Sequence, residues 1–452
     1  MRLAIAVLLL LLIHNFSFAQ EGQSTTSKTT KAVIESAQSK KEKNVSVKIL
    51  IDSLDRAFFK NYIFPDKSQV IIKYLREQLK NGFYQKITDR ATLARQISKD
   101  IQAAHRDPHI NINYDPRFAE LLAGPPPPHV PGSDSLWIKN ARKNNFSFRK
   151  IEILNGNIGY IRLDGFNGFV EDAKPIASAA FRFVSNTDAI IIDLRNNGGG
   201  SPWMVKQIAS YFVTERTRLN DIYERKFDKT FEFWAEPELG ENMKLTMPLY
   251  ILTGSGTASA AEDFSYAMQV NKRAVIVGDT TAGGAHPTGP VAVGQGFVAS
   301  IPFARSINHI TKTDWEGTGV IPDHSVDSDA ALVRAQVLVI TRQIEKANSP
   351  EEKRKLSWAL NALHIREYGD DIMPSLLQSY EGVYRDYTIH LKEGLLYFTD
   401  AWGDHLLRPI STTLFSAGEW IHIEFVSAGN GNVSSIKLIN RNGGEELIKK
   451  TE

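Results

Sequence analysis

The sequence predicts a multidomain α/β protein: a helical unit near the N-terminus, an α/β core, and a small antiparallel β unit at the C-terminus. Three observations predict it. Apolar residues recur at helical spacing between Val45 and Ala104, short apolar strands alternate with helical segments from 147 to 327, and beyond residue 376 short strand-like runs are separated by Gly, Asp and Asn turns. With 452 residues, 42% hydrophobic and 23% charged, the chain is not wholly disordered and has the length of two to four folded units at roughly 100–200 residues each. Its 53 basic and 51 acidic side chains nearly cancel, so nothing electrostatic points to nucleic acid. There is no cysteine, which excludes disulfides, thiolate metal sites and a cysteine nucleophile.

Residues 1–19 read as a secretory signal peptide: a basic start, an apolar run from Leu3 to Ile13, and small Ser17 and Ala19 before Gln20. The run falls well short of the ~20 residues that span a bilayer, so the expectation is an exported protein, periplasmic or secreted, without a stable transmembrane anchor. Residues 20–44 are polar and predict a disordered leader. The helical unit, 45–112, begins with Val47, Leu50, Ile51, Leu54 and Phe58 on one helix face, continues with a helix from about Gln69 to Leu79, and carries Leu93, Ile97 and Ile101 on a third. That third helix should stop near Ala104, because Pro108 disfavours helix before it; Ile110 and Ile112 then alternate with Asn as in a short strand. Residues 113–146, with four consecutive prolines, predict a stiff Pro-rich linker.

The core, 147–345, predicts strands at Asn157 to Leu163, Ala189 to Leu194, Leu249 to Thr253 and Ala274 to Val277. Helices are predicted at Ala173 to Val184, Pro202 to Val213 and Ser259 to Gln269. A charged helix is predicted from about Ser328 to Leu360, with a helical linker over 346–375 and a β-rich accessory domain over 376–452.

Chemistry in parallel sheets collects where strand ends meet helix N-termini, and two such loops stand out. Arg195-Asn196-Asn197-Gly198-Gly199-Gly200 precedes a helix starting at Pro202; its glycines can turn backbone N–H groups toward an anion or oxyanion. It lacks the Gly-Lys-Ser/Thr ending of a phosphate loop. Ser259 sits at a strand-to-helix junction, the position of a nucleophile, though an N-cap serine also stands there. A serine nucleophile needs a base, and His109 in Asp107-Pro108-His109 and His286 in Gly283-Gly284-Ala285-His286 are both placed on loops that could supply one. His105 reads as a helix C-cap.

The stretches IIIDLRNNGGG, TGSGTASAAEDFSYAMQ, VIVGDTTAGGAHP and WEGTGVIPDHSV, in that order, resemble the S41 serine peptidase family of C-terminal processing peptidases and the tricorn core protease. Within it the chain is most similar to the branch of interphotoreceptor retinoid-binding protein, whose N-terminal domain the segment 45–112 resembles. The resemblance implies a crotonase/ClpP-like core, Ser259 as nucleophile, and an oxyanion hole from Ala260 N–H and Gly199 or Gly200 N–H. The processing peptidases carry a lysine base at the position of Gly284, so the serine-lysine dyad is absent here. The tricorn-like branch takes a histidine matching His109, with the orienting glutamate at Glu316; His286 stays a rival base. Pro108 replaces a serine of that motif, which removes one supporting hydrogen bond.

What the resemblance implies is acyl transfer to water on peptides or unfolded proteins, with no metal or organic cofactor and an oligomeric state left open. Two other classes stand beside it: a catalytically silent scaffold binding an apolar ligand or peptide, and a crotonase-like thioester enzyme, which export disfavours.

Overall fold

A computed structural model describes residues 45–124, 136–368, 373–428 and 432–451. The predicted signal peptide, leader and proline run lie outside them. Helix Val47–Asn61 is capped by Ser46 and buries Leu50, Ile51, Leu54, Ala57 and Phe58. Pro65 starts the next helix, Pro65–Lys80, at the first-turn position where its missing N–H costs nothing. Asp89 caps Arg90–Ala104 through the Thr92 N–H, and His105 is the C-cap. Each large side chain buried here contributes about 1.5–3 kcal/mol.

These helices share their core with a hairpin the sequence reading missed. Strand Asn111–Tyr114 pairs antiparallel with Phe297–Pro302, which pairs with Thr288–Gly294, and Phe297, Ala299 and Ile301 pack among the helical residues. That hairpin brings the loop before Asn111, and His109 with it, against the peptide segment that follows Gly283.

The central sheet has six strands in the order His324–Ser325, Ala274–Gly278, Leu249–Thr253, Ala189–Asp193, Ile158–Leu163 and Phe148–Leu154. All neighbours are parallel except the last pair. Alternation along each strand sends Ile190, Ile192 and Ile251 to one face, where helices Val170–Phe183, Pro202–Ala209 and Ala260–Val270 cover them. Ile191, Tyr250 and Leu252 point to the other face, under helix Ala331–Lys346. The chain is thus a mixed α/β protein with several sheets.

Three expectations are corrected. The segment 113–146 is not simply a connector: Asp115 caps a helix, Pro116–Ala123, and another spans Leu136–Lys143, the Asp-Pro pair being a helix start rather than a break. The single helix expected over 328–360 is two, Ala331–Lys346 and Pro350–Tyr368, because Pro350 forces the residue before it out of helical geometry. Helix Pro202–Ala209 also ends earlier than its apolar pattern suggests.

At the C-terminus, strands 382–406 form a four-stranded antiparallel sheet and strands 408–449 a five-stranded one. Tyr380, Tyr384, Phe398, Phe415 and Phe425 share one core. Trp402 and Trp420 stay exposed, at 87% and 66%.

Candidate functional site

The Gly-rich turn and the serine junction lie side by side at the carboxyl ends of adjacent parallel strands, Ala189–Asp193 and Leu249–Thr253. Asp193, at its strand's end, is buried and accepts from Tyr160 Oη (2.7 Å) and from Arg195 Nε and Nη2 (2.9 and 2.7 Å). Burial works to raise the Asp193 pKa, and these bonds outweigh it and hold the carboxyl below its ordinary value. Arg195 in turn donates to Ser328 O (2.6 Å), so the start of the turn is locked. Asn197, fully buried, donates Nδ2 to Leu163 O and accepts the Gly199 N–H at Oδ1, both at 2.9 Å. Ala258 N–H reaches Asn197 O (3.0 Å), tying turn to junction.

Ser259 is exposed and has φ 53°, ψ −119°, a strained conformation for a residue with a Cβ. It caps helix Ala260–Val270, as a nucleophile on a sharp strand-to-helix turn would. Gly199 is in contact with it: a Cβ on Gly199, whose φ is +104°, would lie 2.7 Å from Ser259 Cβ and 3.0 Å from Ala260 N. Only glycine fits there. Of the two candidate turn donors, Gly199 N–H is engaged by Asn197, whereas Gly200 N–H has no acceptor among the described residues; Ala260 N–H likewise has none.

What holds Ser259 to the next loop is a residue to which the sequence reading gave no role. Glu262, fully buried on the first turn of the helix, accepts from Ser259 N (2.8 Å), Thr281 Oγ1 (2.6 Å), Gly283 N (2.6 Å) and Gly284 N (2.9 Å). Its signal was present as Ser-x-x-Glu, the capping-box spacing. Here the glutamate extends beyond the helix end and fastens the Thr281–Gly284 segment to the serine.

The His109 ring lies over that segment. A Cβ on Gly284 would be 3.4 Å from His109 Cε1 and 3.6 Å from Glu262 Oε2, so the imidazole stands at the position where the family resemblance places a lysine. The His109 loop is braced from behind by Asp107, which accepts the His109 N–H (3.0 Å) and Tyr62 Oη (2.9 Å), and by Gln102, which donates to Asp107 O and Ile110 O. Burial raises the Tyr62 pKa, so its hydroxyl stays a donor.

His109 Nε2 meets Glu316 at 3.0 and 3.2 Å from the two carboxylate oxygens, across 207 residues of sequence. Ala285 N–H donates to the same carboxylate at 2.7 Å. Burial acts to lower the His109 pKa, and the bond and charge of Glu316, with Asp107 and Glu262 behind, overcome it and raise the ring above its ordinary value. For Glu316 burial pulls upward and His109 wins, leaving the carboxyl below its usual range. His109 Nδ1 makes no hydrogen bond among the described residues, and Ser259 and His109 are not bonded to each other.

His286, the rival base, is a neighbour of both His109 and Glu316, its ring centroid 6.0 Å from that of His109. Its side chain is 7% exposed, its Nδ1 is 3.6 Å from Glu316 Oε2, and its ring edge meets Phe64. The structure thus gathers His109, His286 and Glu316 in one cluster and Ser259, Ala260, Gly199 and Gly200 in another, with Glu262 and the Gly283–Ala285 segment between them.

Comparisons with known proteins identify the family. Residues 157–326 match peptidase family S41, and residues 31–135 match the N-terminal domain of peptidase S41 in eukaryotic IRBP. The chain belongs to the S41 peptidase family. It is 32% identical over 177 residues to carboxyl-terminal-processing peptidase 2, chloroplastic, of Arabidopsis thaliana, covering 37% of this chain and 31% of that one. To the carboxyl-terminal-processing protease of Synechocystis sp. it is 29% identical over 174 residues, 38% of each chain. It therefore spans about a third of the length of these curated relatives. A photosystem II D1 C-terminal processing protease structure superposes with a TM-score of 0.43 and 20% identity over 63% of this chain and 94% of that one. No helix among the described residues is long and apolar enough to cross a membrane.

Proposed function

We propose that this protein is an exported serine endopeptidase acting on peptides or unfolded proteins. Ser259 Oγ attacks the scissile carbonyl, and His109 accepts the hydroxyl proton and returns it to the leaving amine, after which water hydrolyses the acyl-enzyme. Because Glu316 occupies Nε2, the base is Nδ1, the ring nitrogen left without a partner. Glu316 orients the ring and stabilises its charged form. Gly200 and Ala260 N–H groups are the donors left free to hold the developing oxyanion. Export rests on the signal-like pattern of residues 1–19.

The observation that carries the reading is the His109–Glu316 bond, made against the same short segment that Glu262 fastens to Ser259. A base, its orienting carboxylate and a strained, exposed serine are otherwise an improbable set to share one loop. The missing Ser259–His109 bond is compatible with it, since such bonds often tighten only on substrate binding.

The test is labelling of the protein by a fluorophosphonate probe, alongside hydrolysis of an unfolded protein substrate, in the wild type, Ser259→Ala and His109→Ala. Label and hydrolysis in the wild type alone are expected. Labelling that survives His109→Ala and requires His286 would move the base, and a folded wild type that neither labels nor hydrolyses would leave a binding scaffold.

A further inference from the structure

The geometry around Glu316 has a use beyond orienting a base. His286 aims Nδ1 at Glu316 Oε2 at 3.6 Å while His109 Nε2 lies 3.0 Å from Oε1 of the same carboxylate. One ligand atom from each of His109, His286 and Glu316 falls within 4.8 Å of the other two. Around a tetrahedral zinc ion, with bonds of about 2.0–2.2 Å, neighbouring ligand atoms stand roughly 3.3 Å apart. Two of the three spacings, 3.2 and 3.6 Å to Glu316 Oε2, are close to that figure already, and the third lies within 4.8 Å.

A second feature points the same way. Asp314 Oδ2 stands 3.8 Å from His286 Nε2, the ring nitrogen that does not face Glu316. An outer carboxylate at the second nitrogen of a metal-bound histidine fixes the tautomer with its proton on that side, leaving the inner nitrogen's lone pair for the ion. With its proton on Nε2, His286 Nδ1 would present a lone pair to the Glu316 carboxylate, a repulsive arrangement that a cation between them relieves. The ring is already aimed, since it is buried and edge-on to Phe64 with centroids 5.4 Å apart. Two imidazoles with one carboxylate suit zinc and its transition-metal neighbours rather than calcium or magnesium.

We propose that His109, His286 and Glu316 bind one divalent ion of the zinc type, with Asp314 as the outer partner of His286, and that the bound ion switches the peptidase off. The switch rests on His109 being the base. With the ion on Nε2, the proton that Nε2 shared with Glu316 moves to Nδ1 through solvent, and neither ring nitrogen can then accept the Ser259 proton. Ser259 itself is untouched, so removing the ion restores the site.

The experiment uses the whole protein, freed of metal with EDTA and titrated with Zn²⁺ by calorimetry and with Co²⁺ by visible absorption. One ion per chain is expected, with tetrahedral-type Co²⁺ bands, and a loss of affinity of about 10-fold or more in His286→Ala and in Asp314→Asn. Circular dichroism checks that both variants fold, and Asp314→Asn, which leaves all three ligands in place, guards against a packing defect in the first. Zn²⁺ should abolish fluorophosphonate labelling over the same concentration range, and EDTA should restore it. Absence of binding, or binding unchanged in both variants, overturns the site. Labelling that persists on zinc-saturated protein overturns the switch. If the metal-free protein binds zinc as described and never labels, the peptidase reading fails while the metal site stands.

Discussion

His109, partly buried, and His422, buried, are two imidazoles in different parts of the molecule, pushed in opposite directions. His422, 3% exposed on strand Ile421–Ser427, lies flat on Trp358 of helix Pro350–Tyr368, with ring centroids 3.6 Å apart and planes 4° from parallel. Its Nδ1 is 3.4 Å from Asn361 Nδ2. Burial alone pulls its pKa down to about 4. His109 is desolvated too, and the Glu316 carboxylate at 3.0 Å reverses the sign. Burial makes a histidine inert; a carboxylate beside it makes a proton acceptor that titrates above the ordinary value. The first fastens the β unit to a helix, and the second is fitted for chemistry.

The sharpest way to break this comparison is to remove each ring in turn. His109→Gln should lower kcat/KM by about 10³-fold or more with little change in unfolding midpoint, as expected for a lost general base. His422→Gln should leave kcat/KM within a few-fold and lower the unfolding midpoint, through loss of the indole stack. Steady-state kinetics and urea unfolding of both variants check this, and a His422 variant as inactive as the His109 one would erase the distinction.

The next effect is on stability against pH. Because the folded His422 pKa of about 4 lies below the ordinary ~6.5, the unfolded chain takes up a proton that the folded chain refuses between those values. The stability is therefore full above about pH 6.5 and is lost as pH falls toward 4, by roughly 3 kcal/mol in total at about 1.4 kcal/mol per unit. His422→Phe keeps an aromatic ring on Trp358 and removes the titration. Urea midpoints from pH 7 to 4.5 should fall more steeply for the wild type than for this variant; parallel slopes would refute the assignment.

At His109 the pH effect has the opposite sense. Its raised pKa places the acid limb of kcat/KM above the ordinary ~6.5, since the base works only when neutral. Glu316→Gln removes the carboxylate charge and leaves burial in command, so the limb should move below that value while kcat/KM at its optimum drops about 10–100-fold. A limb unmoved in this variant would mean that another group, His286 first, sets it.

Much of this layout could be read from the sequence, and the gaps have physical causes. The parallel strands were legible because Ala189–Asp193 and Leu249–Thr253 are apolar on both faces, and the third N-terminal helix because Leu93, Ile97 and Ile101 recur four apart. The hairpin of 288–302 was not legible: Thr288–Gly294 is mostly half-buried, Phe297–Pro302 is buried at nearly every position and so shows no two-residue alternation, and its pairing with Asn111–Tyr114 joins residues far apart in the chain. At the site, Ser259, His109 and Glu316 came from a family pattern, and the Ser-x-x-Glu spacing marked Glu262 as a helix cap without showing its reach to Thr281–Gly284; Asp107 and Asp314 act through contacts that no spacing encodes. The same limit applied to Trp358 and His422, which meet between a helix and a strand that periodicity treats separately.

The smallest effect tests how closely the His109 ring depends on the backbone beneath it. Gly284 does not need a left-handed conformation, and a Cβ there would meet His109 Cε1 at 3.4 Å, at the near edge of ordinary van der Waals contact. Gly284→Ala should therefore fold normally and displace the ring by a few tenths of an ångström, lowering kcat/KM by a few-fold because proton transfer depends on sub-ångström placement. Gly199→Ala is the contrasting case, since its Cβ would meet Ser259 Cβ and Ala258 O at 2.7 Å in a conformation that L-residues rarely adopt, and its loss should be far larger. Equal losses in the two alanine variants, measured as kcat/KM on one substrate, would mean that the loop is too compliant for glycine contacts to position the ring.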